Sequence, residues 1–212
     1  MADIQATIEG SLTDYYTQRS NDPDRAVRVG WRDKVAQHRR FAVLAGVITH
    51  TIDAHFSIAD IGCGLGDFST FLDAAGYTDF AYVGYDRATA MVEDASTMYP
   101  TRKFSQIGKA SDIEPADYCV ASGIFSGKFD IRQTEWTNYI FETLGAMNGR
   151  SKSGFAFNAL TKYSDAHLMK SELYYADPCL LFDHCKTHFS RNVALLHDYD
   201  EYDFTIIVRK AG

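Results

Sequence analysis

A strand that runs directly into three glycines spaced two apart, with a helix starting at once behind them, limits what this chain folds into more than any other feature. It reads Ile58-Ala59-Asp60-Ile61-Gly62-Cys63-Gly64-Leu65-Gly66-Asp67-Phe68. Glycine is required where backbone turns tightly and where a ligand must approach it with no Cβ in the way. The helix N-terminus behind the turn brings unpaired N–H groups to the same spot. The stretch departs from the dinucleotide fingerprint, because Asp67 occupies the position of the third glycine. A carboxylate there crowds a pyrophosphate. The loop therefore suits a ligand without phosphates, and a dehydrogenase is the weakest reading.

Tyr82-Val83-Gly84-Tyr85-Asp86 ends a second strand in a carboxylate, 24 positions beyond Gly62. An acidic residue roughly 20 positions after a glycine loop stands at the end of the adjacent strand, in reach of both hydroxyls of a ribose. In open α/β sheets the ligand lies outside the carboxyl ends of the strands, near the reversal of strand order. Both features point to that place.

The rest of the chain supplies the alternation such a sheet needs. Asp33 caps a predicted helix that carries Phe41, Leu44, Ala45 and Ile48 on one face. His55 to Ile61 is the first predicted strand. The next helix has Phe68, Phe71, Leu72 and Ala75 at core spacing and stops at Gly76. Phe80 to Tyr85 follows, then a helix with Ala88, Met91, Val92 and Ala95 that ends before Pro100. Lys103 to Ile107 and Asp117 to Ala121 are further strands. Trp136, Tyr139, Ile140, Thr143, Leu144 and Met147 mark another helix, and Gly154 to Leu160 a fifth strand. Asp177-Pro178 starts a helix. Val193 to Leu196 and Phe204 to Val208 read as a closing pair joined by a short acidic turn. The predicted fold is α/β, doubly wound, with a mostly parallel sheet covered on both faces and an antiparallel edge.

Composition bounds the function classes. The chain has 212 residues, enough for one well-buried core. With 28 acidic and 21 basic residues the net charge is −7, which disfavours a nucleic-acid partner. No apolar run approaches the roughly 20 residues that span a bilayer, so no membrane partner is expected. The polar N-terminus lacks a basic-then-apolar start. Cys63, Cys119, Cys179 and Cys185 show no repeated pairing. Together these features predict reduced thiols and a cytoplasmic protein.

Asp60-x-Gly62-x-Gly64-x-Gly66 with Asp86 resembles the first two motifs of the class I S-adenosylmethionine-dependent methyltransferases, and the similarity extends from about residue 30 to residue 208. Gly30-Trp31-Arg32-Asp33, Val120-Ala121-Ser122-Gly123-Ile124-Phe125, Phe155-Ala156-Phe157-Asn158 and Tyr174-Tyr175-Ala176-Asp177-Pro178 further resemble a bacterial subgroup of that class. The resemblance implies a seven-stranded sheet with one antiparallel strand, the Rossmann-like methyltransferase fold. It also implies S-adenosylmethionine as cofactor and S-adenosylhomocysteine as product. By position, Gly62, Cys63 and Gly64 lie against the methionine part, with Asp60 fixing the loop or the amino group. Asp86 takes the ribose hydroxyls, and Arg87 and Met91 flank the adenine. The adenine amino group falls to backbone at Ala110 or to the side chain of Ser111 or Asp112. Many relatives carry an acidic residue where this chain has Lys109. Ser122 and Gly123 border the sulfonium, and Tyr16 and Trp31 close over the cofactor.

Residues 1–32 form a predicted lead-in or cap, and residues 33–212 the cofactor-binding domain. The stretch 161–177 is longer than an ordinary connection and reads as a substrate-side insertion. Tyr15, Phe125, Tyr174, Tyr175 and His197 are candidate substrate contacts, although aromatic pairs are also ordinary packing. Cys179, His184, Cys185 and His188 lack finger-like spacing, so no metal is expected. No catalytic dyad stands out. The expected activity is methyl transfer to an oxygen or nitrogen of a small molecule, by a monomer or homodimer. The alternatives are methylation of RNA or of a protein side chain, and a non-catalytic binder of the cofactor. The sequence Ser122-Gly123-Ile124-Phe125 is unlike the Asn/Asp-Pro-Pro-aromatic pattern of base amino-group methylation.

Overall fold

The computed structural model describes Thr7, Gly10, Ser11 and residues 25–210. Tyr15 and Tyr16 lie outside the described residues. A short helix α1 (Arg25–Arg28) leads into α2 (Lys34–Ala45), and the alternation then runs β1 (Phe56–Ile61), α3 (Asp67–Ala74), β2 (Phe80–Asp86), α4 (Thr89–Met98) and β3 (Lys103–Gln106). It continues with β4 (Ala116–Ala121), α5 (Gln133–Arg150), β5 (Ser151–Leu160), α6 (Pro178–His188), β6 (Asn192–Leu196) and β7 (Asp203–Arg209). The caps are chemical. Asp33 accepts the Ala36 N–H and Asp177 accepts the Cys179 N–H, each satisfying a donor that the helix itself leaves orphaned.

The seven strands form one sheet in the order β3-β2-β1-β4-β5-β7-β6. The first five in that order are parallel neighbours, while β7 runs antiparallel to both β5 and β6. Side chains alternate between two cores. Ala59, Ile61, Cys119, Ala121, Phe155 and Phe157 face the α5 and α6 side, where Trp136, Ile140, Leu144 and Leu181 cover them. Ile58, Tyr118, Val120 and Ala156 face the opposite layer of Phe41, Leu44, Phe68 and Leu72. Burial on both faces explains the near-continuous apolar reading of β1, β4 and β5.

Two expectations shift. Ala75 is exposed because α3 ends at Ala74 and Ala75 is only its C-cap. The fifth strand begins at Ser151, directly after α5, three residues earlier than its apolar run announces. Strand order reverses at β1, which pairs with β2 on one side and β4 on the other. That reversal places the functional site.

Candidate functional site

At the carboxyl ends of β1 and β4 the structure encloses a cavity of about 550 Å³. Its wall includes Asp60, Gly62, Cys63 and Gly64 from the first turn, and Asp86 and Arg87 from the end of β2. Trp31, Ala110, Ser122 and Gly123 complete the group of sequence-predicted residues brought together there. Met91 is buried but stands off the wall, and Ser111 spends its carbonyl on the Arg150 guanidinium at 2.7 Å.

The glycine turn is held by the neighbouring strand. Gly62 and Cys63 both donate their N–H groups to the Tyr85 carbonyl, at 2.7 and 3.0 Å. At Gly62 φ is +70°, and a Cβ there would lie 2.2 Å from Ile124 Cγ2. Gly123 has φ +78°, and a Cβ would meet the Trp31 ring at 2.8 Å. The segment 27–31 thus lies over both turns, with Val29 against Gly64 and Trp31 against Gly123. Arg25 anchors its near end, reaching Asp67 at 2.5 Å and the Tyr99 hydroxyl at 3.0 Å.

Asp86 is 5% exposed, and each of its oxygens accepts one backbone N–H: Oδ2 from Gly64 and Oδ1 from Ala88, both at 2.9 Å. A carboxylate has about four acceptor sites, and the Arg87 backbone also acts on this one, which leaves acceptor capacity for a further hydroxyl donor. Burial raises the Asp86 carboxyl above its ordinary value, and these backbone donors pull it back. Asp60 is buried too and accepts the Tyr82 hydroxyl at 2.6 Å. Burial pushes its carboxyl up to about 7, the Tyr82 bond works against that, and the charges of Asp86 and Asp67 add to it. Burial, followed by the Asp86 and Asp60 charges, raises the Cys63 thiol well above the ordinary range. It remains a neutral thiol, so the site offers no thiolate nucleophile there.

The candidate substrate contacts distribute differently. Phe125 is fully buried against Phe157. The Tyr174 hydroxyl bonds Thr137 Oγ1 at 2.8 Å, and Tyr175 accepts the Lys170 N–H. His197 is exposed beside Tyr163 and Phe204. None of these four is on the cavity wall, although Leu173 and Glu172 from the 161–177 stretch are. Residues the sequence reading passed over do reach the site. Arg40 and Asp203 stand on its wall, and Asn158 accepts the Gly123 N–H at 2.7 Å. The position of Asn158 near the carboxyl end of β5 was the available signal. Among the described residues no three His, Cys, Asp or Glu side chains gather to hold a metal.

The fold has close counterparts. Magnesium protoporphyrin IX methyltransferase of Synechocystis, solved with bound S-adenosylhomocysteine, superposes with a TM-score of 0.65 at 14% identity, covering 95% of this chain and 99% of that one. An S-adenosylmethionine-dependent methyltransferase of Clostridium acetobutylicum gives a TM-score of 0.58 at 11% identity, covering 93% and 99%. No family model matches the chain. A Mycobacterium tuberculosis protein named "Putative methyltransferase" is 50% identical over 159 residues, which is 74% of this chain and 95% of that relative. The chain belongs to the class I S-adenosylmethionine-dependent methyltransferases. In this methyltransferase, then, the glycine turn, Asp86 and the covering segment 27–31 surround one cavity at the reversal of strand order, the expected ligand position for an open α/β sheet.

Proposed function

We propose that the chain transfers a methyl group from S-adenosylmethionine to an oxygen or nitrogen of a small molecule. The observation that carries this reading is the cavity: one space of about 550 Å³ that reaches from Asp86 and the glycine turn to Phe129, Leu160 and Leu173. Small-molecule sites occupy roughly 300–1,000 Å³. The space suits a cofactor with a compact acceptor beside it, under a cover formed by residues 27–31. A net charge of −7 weighs against RNA as the acceptor.

In this reading Gly62, Cys63 and Gly64 border the methionine portion, and Asp60 meets its ammonium. Asp86 takes the ribose hydroxyls, Arg87 flanks the adenine with Met91 packed behind the wall, and Ala110, Ser111 or Asp112 reads its amino group. Ser122 and Gly123 border the sulfonium, and Trp31 covers it. The sulfonium supplies an electrophilic methyl carbon. The protein holds the acceptor in line with it and keeps water out. Residues 1–32 and the stretch 161–177 set acceptor specificity.

Isothermal titration with S-adenosylmethionine, S-adenosylhomocysteine and NAD tests the reading. The first two bind at micromolar Kd, and NAD does not. Asp86→Ala removes two charge-assisted hydrogen bonds, about 2–4 kcal/mol, and weakens the first two by roughly 30- to 1,000-fold. Binding of NAD, or of nothing, overturns it. With labelled cofactor, the small-molecule fraction of a cell extract takes up the methyl group and the macromolecular fraction does not.

A further inference from the structure

One buried carboxylate on the cavity wall has no part in the roles above. Asp203 opens β7, where it pairs with Leu160 at the end of β5. The antiparallel strand therefore delivers it to the sheet edge that also carries Ser122 and Gly123. Its side chain is 1% exposed and it stands on the wall. Oδ2 accepts from Arg40, at 2.8 Å from Nε and more closely from Nη2. Oδ1 has no hydrogen-bond partner among the described residues.

Arg40 holds its guanidinium 4.6 Å from the centre of the Trp31 ring, and that ring lies against Gly123. Two packed side chains thus connect Asp203 to the end of β4. Arg40 also bonds Glu201 at 3.1 Å, so its charge is already matched by two carboxylates. The Arg40 charge is thus spent within the protein and does not draw an anionic acceptor to Asp203. A carboxylate oxygen accepts only, and what completes it is a donor. Phe129, Leu160 and Leu173 give the wall apolar surface, and the opposite charges of Lys170 and Glu172 stand beside Leu173.

We propose that Asp203 Oδ1 takes the proton of the methyl acceptor, and that the accepting group is a neutral hydroxyl on an apolar body. The inference rests on the methyltransferase reading. The acceptor oxygen forms the new O–CH₃ bond as the S–CH₃ bond breaks, the bonding pair returns to sulfur, and the hydroxyl proton passes to Asp203. An alcohol is too weakly acidic to react well without such a base, whereas a carboxylate needs none.

Three probes of one shape decide it: benzyl alcohol, benzylamine and benzoate. Saturation-transfer NMR on the wild-type protein loaded with S-adenosylhomocysteine is expected to show the alcohol bound more tightly than the other two. Asp203→Asn keeps the affinity for S-adenosylhomocysteine within twofold and lowers labelled-methyl transfer to the alcohol at least 100-fold. Preference for benzoate or benzylamine, binding of none of the three, or transfer in Asp203→Asn within threefold of wild type overturns the proposal. If Asp203→Asn does not fold, the wild-type probe order decides alone. Failure of the wild-type protein to bind S-adenosylhomocysteine at all is a different result and sinks the methyltransferase reading instead.

Discussion

Tyr82 donates its hydroxyl to Asp60 Oδ2 at 2.6 Å, between neighbouring strands and with both side chains sealed from water. The bond makes a pH-dependent joint beneath the glycine turn. The Asp60 carboxyl is pushed up to about 7, mainly by burial, against about 3.9 for an unfolded aspartate. The folded chain therefore keeps a proton that the unfolded chain releases between pH 4 and 7. The stability this group contributes is fully present below about pH 4 and is lost as pH rises through 7. Asp60→Asn flattens that slope, so the change in Tm between pH 5 and pH 8 is smaller than in wild type. Identical slopes in scanning fluorimetry would refute the assignment.

Gly62→Ala and Gly76→Ala separate strain from obstruction. Both glycines have positive φ, +70° and +93°, but a Cβ at Gly76 meets nothing within 4 Å while one at Gly62 strikes Ile124 at 2.2 Å. Gly76→Ala is expected to lose only about 1–2 kcal/mol of stability and no cofactor affinity. Gly62→Ala loses more stability and weakens cofactor binding more than tenfold. Titration calorimetry alongside urea unfolding reads both, and equal cofactor affinities would count against the clash.

Asn158 is fully buried and holds the end of β4 by two bonds, accepting the Gly123 N–H at 2.7 Å and donating to Ser122 Oγ at 3.1 Å. Asn158→Ala leaves the half-buried Gly123 N–H unpaired and opens a small void. Together these are expected to lower unfolding stability by about 2–4 kcal/mol. Cofactor affinity should fall with it, because the displaced backbone borders the sulfonium in the proposed site. An unchanged urea midpoint contradicts this role.

Arg25 ties the start of the covering segment to Asp67, to Tyr99 and, at 3.4 Å, to the Leu65 carbonyl. Its side chain is 36% exposed, so solvent screens the ion pair and its loss shifts overall stability by less than about 1 kcal/mol. The expected effect is local. Arg25→Ala releases S-adenosylhomocysteine two- to tenfold faster in a chase experiment with labelled ligand, at nearly constant Tm. A constant release rate separates the segment from ligand exchange.

What could be read in the sequence was what local geometry decides. The glycine turn, the Asp86 strand end and the caps at Asp33 and Asp177 each depend on a few adjacent residues, and the structure reproduces them. The pairing of Arg40 with Asp203 joins residues 163 positions apart and leaves no periodic trace. Val29 and Trp31 fit against glycines whose missing side chains announce a vacancy without naming what fills it. Tyr174 and Phe125 show the opposite limit. An aromatic near a predicted site can as well turn inward, and here packing against α5 and β5 claims both.

Trp31 belongs to two walls at once. It lies on Gly123, at the proposed sulfonium end, and it packs on the guanidinium that bonds Asp203. The compartment for the second reactant is thus finished only when this indole is seated. On the proposed roles, the cofactor is expected to add first and the acceptor second. In steady-state kinetics a dead-end analogue of the acceptor is expected to inhibit competitively against the acceptor and uncompetitively against S-adenosylmethionine, and non-competitive inhibition against S-adenosylmethionine would contradict the order.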